Sequence, residues 1–343
     1  MLATINLITG CATTSPPNGH ETHRTCFESA GNTLCGTLML PDTGSAPAPV
    51  TIFVHGDGPA DADYFGYYRS IWNALANSGI ASFSWDKPGV GDSGGNWLDQ
   101  SMEDRAAETT AAALHLAQRP DIDAENIGVI GFSQAGWVLP RLANEEWLDY
   151  LVLGSTAIDW TDQGDYMMQR RWGTRAVSDP DGYQSAVERD QLFDDLMQNN
   201  DKTHDDYIEL IRQTGGSDAD VKTAMSPSRF DFARRNMNEN AVQTLNNINV
   251  PVLGLFGTDD LNVDVMDSLS VYKSIFKKTP TVDFNYHIYP GATHALTKSW
   301  LYNKQVPGAW YVVLINVLED AMFADGVLDD LVDFVLTQSN TIP

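Results

Sequence analysis

The sequence predicts an α/β protein, with a mostly parallel central sheet flanked by helices and a helical insertion late in the chain. Three observations predict it. Short apolar runs such as Val-Thr-Ile-Phe-Val at 50–54 alternate with helix-patterned segments, and each run stops at a Gly-, Pro- or Asp-rich turn. Such alternation implies right-handed crossovers and a parallel sheet. The segment 126–137, Asn-Ile-Gly-Val-Ile-Gly-Phe-Ser-Gln-Ala-Gly-Trp, reads as a strand, a very tight turn and the start of a helix. Finally, 343 residues at 43% hydrophobic content supply the core of one large domain with an insertion, or of two domains.

The elements follow in order. Residues 1–23 are expected to be a signal remnant and tether. Residues 24–41 read as a hairpin ending at Pro41. If Ala30-Gly31 forms its turn, Ser29 pairs with Asn32 and Cys26 with Cys35, close enough for a disulfide; the alternative is two free thiols. The strand at 50–54 stops at His55-Gly56-Asp57-Gly58-Pro59. A helix is expected over 67–78. The next strand, 81–85, stops at the glycine-rich turn 86–95, which lacks the Gly-Lys-Ser/Thr ending of a phosphate loop. An Ala-rich helix follows over 103–119, then the strand and turn at 126–133, a helix to about Glu146, and a strand at 150–154. From 159 to 246 the strand pattern stops. Trp160, Tyr166, Trp172 and Phe193 recur at helical spacing there, so this stretch is read as a helical cap whose aromatic and Met residues form its own core or line an apolar pocket. Strand character returns at 250–256 and 282–289, and 309–336 reads as a helical pair or a helix kinked at Gly326. The expected division is 1–23 tether, 24–158 first part of the core, 159–246 cap, and 247–343 second part of the core.

The formal net charge is −25, from 46 acids against 21 bases, which argues against nucleic acid and anionic membrane surfaces as partners. Among the seven histidines, His20, His23, His115 and His204 show no ligand spacing, so no metal is expected; the sequence shows no dinucleotide pattern, and no cofactor is expected either. His55 reads as a brace for its glycine turn, and His287 as packing or surface.

The chemistry gathers where strands end, because an open parallel sheet collects reactive groups beyond the carboxyl ends of its strands. Ser133 stands at the apex of the 131–136 turn, between the small residues Gly131 and Ala135, which projects its hydroxyl as a nucleophile is projected. Asp260 follows the strand at 250–256, and His294 follows the strand at 282–289. Serine, acid and histidine thus occur in that chain order, each just past a strand.

From the strand at Val50 onward, the chain resembles the α/β-hydrolase fold, and most of all a bacterial esterase-like branch of serine hydrolases. The residues that carry the resemblance are His55-Gly56-x-Gly58-Pro59, Asp86-x-x-Gly89-x-Gly91-x-Ser93, Ser133-Gln134-x-Gly136-Trp137 with Pro140 after it, and Gly257-x-x-Asp260-Leu261-x-Val263. Departures are Ala135 at the last glycine of Gly-x-Ser-x-Gly and Pro88 where the family often has Arg. The resemblance implies Ser133 as nucleophile, His294 as general base and acid, and Asp260 as the residue that orients the imidazole, with Asp259 and Asp264 as rivals. It also implies an oxyanion hole of backbone N–H groups, one from Gln134 and the other from Asp57 or, second, Gly58. An Asp57 carboxylate must then point away from the oxyanion. The expected reaction is carboxylic ester hydrolysis of a small-molecule substrate through an acyl-enzyme intermediate. The alternatives are peptidase, amidase or thioesterase chemistry on the same triad, or a non-catalytic exported binding protein.

Leu7-Ile8-Thr9-Gly10-Cys11-Ala12, followed by Thr, Ser and Pro, resembles a bacterial lipoprotein processing site, although no Lys or Arg precedes it. With Cys26 and Cys35, it implies an exported, periplasmic or membrane-anchored protein with a lipid on Cys11; the alternative is a cytoplasmic one.

Overall fold

The computed structural model describes residues 20–42 and 47–339; Cys11 and its processing motif lie outside the described residues. The strands are β1 (Glu21–Ser29), β2 (Asn32–Leu40), β3 (Ala48–Val54), β4 (Ala81–Trp85), β5 (Ile122–Phe132), β6 (Leu148–Gly154), β7 (Val252–Gly257) and β8 (Phe284–Tyr289). They form one sheet in the order β1-β2-β4-β3-β5-β6-β7-β8. The β1–β2 hairpin is antiparallel and joins the edge antiparallel to β4, while every pairing from β4 to β8 is parallel. Cys26 faces Cys35 in the hairpin register, and a disulfide joins them. Because β1 already begins at Glu21, the tether expected over 1–23 gives way to the sheet earlier than its boundary.

The inner parallel strands β3, β4, β6 and β7 and the second half of β5 are buried on both faces, so their sequences read as continuous apolar runs rather than alternating ones, while the edge strand β8 is largely exposed. On one face Val50, Ile52, Val129, Leu151 and Leu153 pack with Ala112, Ala113 and Leu116 of the helix Met102–Leu116 and with Leu269 and Tyr272 of the helix Val265–Phe276. On the other, Phe53, Ile130, Val152 and Leu253 pack with Ile71, Trp72 and Leu75 of the helix Tyr67–Asn77 and with Leu331 and Val335 of the helix Val327–Gln338. The helix Met102–Leu116 begins at a capping box in which Ser101 and Asp104 satisfy each other's backbone N–H groups.

Between β6 and β7 the chain is helical, from Trp160–Trp172 through Pro180–Gln198, His204–Gln213 and Pro227–Asn236 to Val242–Leu245. Met197, Tyr207, Ile211, Phe230, Ala233 and Met237 form a small separate core there. At the C-terminal end the helices Ala309–Leu318 and Val327–Gln338 are distinct, the second entered through Gly326 at φ 90°. One expected helix is replaced. After Ser133 come two short 3-10 turns, Ser133–Trp137 and Leu139–Leu142, instead of a helix running to Glu146. Pro140 lacks the N–H that a continuous helix needs at that point.

The strand order reverses direction around β3, with β4 on one side and β5 on the other. Such a switch opens a crevice beyond the strand ends. The residues that follow β3 and β5 are His55 to Gly58 and Ser133.

Candidate active site

Ser133 sits at φ 55°, a left-handed conformation that costs a non-glycine residue on the order of 1–3 kcal/mol and persists only where packing enforces it. The enforcing contacts are backbone-close. A Cβ on Gly131 would lie 2.6 Å from the Ala135 Cβ, and one on Gly136 would lie 2.7 Å from the Thr156 Cβ and 2.8 Å from the Ala157 carbonyl. Ala135 is therefore accommodated because Gly131 opposite it has no side chain. Gly56 approaches from β3, where an added Cβ would meet the Ser133 Cβ at 3.2 Å.

Asp260 is buried at the end of β7, 1% exposed, and its carboxylate is fully engaged. Oδ1 accepts the backbone N–H groups of Asn262 (2.7 Å) and Val263 (2.9 Å), and Oδ2 bonds His294 Nδ1 at 2.8 Å. A carboxylate oxygen can only accept there, so Nδ1 carries a proton, and in the neutral ring the lone pair is on Nε2. Asp259 and Asp264 are occupied elsewhere. Asp259 accepts from Ser299 Oγ (2.6 Å) and Thr258 Oγ1 (3.1 Å), and Asp264 caps the helix Val265–Phe276 through the N–H groups of Met266 and Asp267. Ser133 and His294 line one cavity of about 470 Å³. No hydrogen bond joins the two among the described residues; in hydrolytic sites this contact commonly tightens only when the reacting group arrives.

The cavity walls come from both the core and the helical segment. Tyr64, Tyr67, Tyr68, Phe132 and Trp137 belong to the core, and Trp160 and Met167 reach in from the helical segment. Asp57 is the one carboxylate among the lining residues, and Arg229 of the helix Pro227–Asn236 grips it with two bonds, 2.8 Å and 2.5 Å. That pairing, the strongest influence opposing the cost of burial, holds the Asp57 carboxyl below the usual carboxylate range. Gln134 Nε2 adds a third donor to it at 3.2 Å.

Sequence reasoning did not single out the buried cations beneath this loop. Lys87 Nζ donates to the carbonyls of Gly56 (2.6 Å) and Gly58 (2.9 Å), and Arg105 donates to the His55 carbonyl (2.5 Å) and to Gln134 Oε1 (2.8 Å). Burial pushes the Lys87 ammonium well below the ordinary lysine range, and the neighbouring Arg105 adds to the shift. Glu108 accepts from Trp85 Nε1 and Gln100 Nε2, and burial raises its carboxyl. Lys87 stands inside the Asp86-x-x-Gly89 motif, so its neighbourhood was visible; Arg229 is 172 residues from Asp57, and no local signal joins them.

His55 is 2% exposed and bonds the Trp85 carbonyl through Nε2 (2.7 Å) and the Tyr68 hydroxyl through Nδ1 (3.1 Å). Burial, with Lys87 and Arg105 nearby, lowers its pKa to about 3, so the ring is a neutral brace. His287 pairs with Asp330 at 3.3 Å on the edge strand β8, away from the cavity lining.

Comparison with known proteins agrees with this architecture. Residues 45–299 match the family model described as serine aminopeptidase, S33. Esterase FrsA of Yersinia pestis (strain Pestoides F) is 32% identical over 114 residues, which is 33% of this chain and 26% of that protein, so the match spans about a quarter of the relative's length. The Pyrococcus furiosus esterase Pf2001 superposes with a TM-score of 0.58 at 17% identity, covering 93% of this chain and 92% of that one. DcsB, solved with a substrate analogue, gives 0.58 at 14% identity over 93% and 99%. At such identities the two structures speak for the fold, and the family model, which spans most of the chain, speaks for descent. The chain belongs to the serine aminopeptidase S33 family and has the α/β-hydrolase fold.

Proposed function

We propose that this protein is a carboxylesterase that acts through Ser133, His294 and Asp260. The observation that carries the reading is the bond from His294 Nδ1–H to buried Asp260, which leaves a basic Nε2 on a ring that lines the same cavity as Ser133. In the reaction, Ser133 Oγ attacks the ester carbonyl carbon while its proton passes to His294 Nε2. The tetrahedral oxyanion is held by the N–H groups of Asp57 and Gln134. His294 then returns the proton to the departing alkoxide oxygen as the ester C–O bond breaks. Water repeats the sequence on the acyl-enzyme, releasing the carboxylic acid and restoring Ser133. Asp260 keeps the required tautomer and stabilises the imidazolium.

Peptide geometry supports Asp57 over Gly58 as the second donor. In a trans peptide the C=O and the following N–H point in opposite directions. The Gly56 carbonyl faces Lys87, so the Asp57 N–H faces away from it. The Gly58 N–H is drawn instead toward the Asp57 carboxylate. That carboxylate is neutralised by Arg229, which removes the objection to a negative charge beside the oxyanion.

The lining favours an ester over a peptide with a free amino terminus. Holding an α-ammonium calls for an available carboxylate, and the single one in the wall already pairs with Arg229. The remaining surface is mainly apolar, with Tyr64, Tyr67, Phe132, Trp137 and Trp160 among its walls, suited to an apolar acyl or alcohol group. Rates on short p-nitrophenyl esters, acyl thioesters and aminoacyl p-nitroanilides test this. Turnover of the esters is expected to dominate; turnover of amides alone, or of thioesters alone, would replace the assignment, and absence of fluorophosphonate labelling at Ser133 would make the protein a binder. For location we propose export, supported by the Cys26–Cys35 disulfide and the Cys11 motif. Mass spectrometry of the N-terminal peptide from native cells is expected to find Cys11 lipidated and terminal; an unmodified Cys11 preceded by intact Met1 would end that idea.

A further inference from the structure

We infer that Lys87 is a positioning residue for the oxyanion hole, fastening the 55–58 loop so that the Asp57 N–H faces the cavity. The inference rests on the esterase reading of the site. Three carbonyls of one short loop are drawn to one side: His55 to Arg105, and Gly56 and Gly58 to the single Nζ of Lys87. The loop cannot hold that arrangement alone. Gly56 and Gly58 flank Asp57, Gly58 stands at φ 89°, and glycine-flanked peptide units rotate at little steric cost.

Lys87 is 3% exposed and does not line the cavity, so it does not touch substrate. Its side chain forms no salt bridge among the described residues; the hydrogen bonds of Nζ go to these two carbonyls, and Nζ lies 5.2 Å from the Trp97 ring centroid. Burying an ammonium is costly, and an apolar side chain would fill the same space without that penalty. What Lys87 adds is the orientation of two peptide units. Arg105 completes the clamp, since the guanidinium that holds His55 also holds the side chain of Gln134, which bears the other proposed donor.

The test compares wild type, Lys87→Met and Lys87→Gln, the last keeping a hydrogen-bond donor. The readouts are kcat and KM on a soluble p-nitrophenyl ester and the affinities of two inhibitors. One is an alkyl trifluoromethyl ketone, which forms a tetrahedral oxyanion on the serine; the other is the matching methyl ketone, which binds without doing so. Lys87→Met is expected to lower kcat about a hundredfold, as loss of one oxyanion donor does, with KM within about threefold. The trifluoromethyl ketone should lose affinity in parallel while the methyl ketone does not, and Lys87→Gln should recover part of both losses. A folded Lys87→Met with near wild-type kcat overturns the inference, as does equal weakening of both ketones. If Lys87→Met does not fold, Lys87→Gln decides: an unchanged ratio of the two ketone affinities overturns it. Failure of the esterase reading is recognised separately, by wild type that does not label with fluorophosphonate at Ser133.

Discussion

Replacing Asp260 by Asn should separate the acid that orients His294 from its neighbours. The carboxylate bonds Nδ1 at 2.8 Å in a site 1% exposed, which places the two charge centres roughly 4 Å apart once the ring is protonated. At an effective dielectric of about 20, that separation is worth about 4 kcal/mol. Each 1.36 kcal/mol is a factor of ten in rate, so the electrostatic loss alone is about a thousandfold in kcat. Asn also offers an N–H₂ that favours the wrong imidazole tautomer, which carries the expected loss toward ten thousandfold. The fold should survive, because the Asn amide oxygen can still accept the N–H groups of Asn262 and Val263. The assay is steady-state hydrolysis of p-nitrophenyl butyrate, with circular dichroism and a thermal melt to verify folding. Asp259→Asn serves as the comparison, since its carboxylate bonds Ser299 and Thr258 rather than the histidine, and it should stay within a few-fold of wild type. A folded Asp260→Asn with activity within tenfold of wild type, or a larger loss from Asp259→Asn, would refute the reasoning.

Ser133→Ala and His294→Ala should each reduce kcat by at least about a thousandfold, and fluorophosphonate should label wild type but not Ser133→Ala; equal labelling of both would remove Ser133 from the reaction. Gly136→Ala should destabilise by about 1–3 kcal/mol, because the new methyl group meets the Thr156 Cβ at 2.7 Å and the Ala157 carbonyl at 2.8 Å inside the elbow; an unchanged melting temperature would show that the turn yields easily. Acid should weaken the fold through His55. Its folded pKa, about 3, lies below the ordinary 6.5, so the unfolded chain takes up the proton first. The contribution is whole above about pH 6.5 and falls by about 1.4 kcal/mol per pH unit down toward 3. Urea titrations between pH 7 and 4.5 should therefore show a steeper decline for wild type than for His55→Asn, and parallel slopes would mean that the ring is protonated in the native state.

Much of the fold was legible because its signals are local. The inner parallel strands are buried on both faces and so read as apolar runs, and glycine-rich turns mark where they stop; the β1–β2 register follows from a two-residue turn. The legible part of the site lies in residues that sit one turn past a strand, as Ser133, Asp260 and His294 do. Reading failed where a local pattern competed with a neighbour. The stretch after Ser133 has helical spacing, yet Pro140 breaks it into 3-10 turns.

The amino-acid sequence by itself determined the layered α/β architecture, the turn that carries Ser133 and the chain order of serine, acid and histidine, since propensity, periodicity and turn chemistry act over a few residues. Only the tertiary structure decided that Asp259 and Asp264, the rivals of Asp260, are occupied elsewhere, that Arg229 reaches across from the helical segment to neutralise Asp57, and that Lys87 and Arg105 lie beneath the 55–58 loop. Those pairings join residues tens to hundreds of positions apart. Hydrogen bonds and ion pairs depend on distances of about 3 Å, which the packing of the whole sheet and its helices sets and no short window of sequence contains.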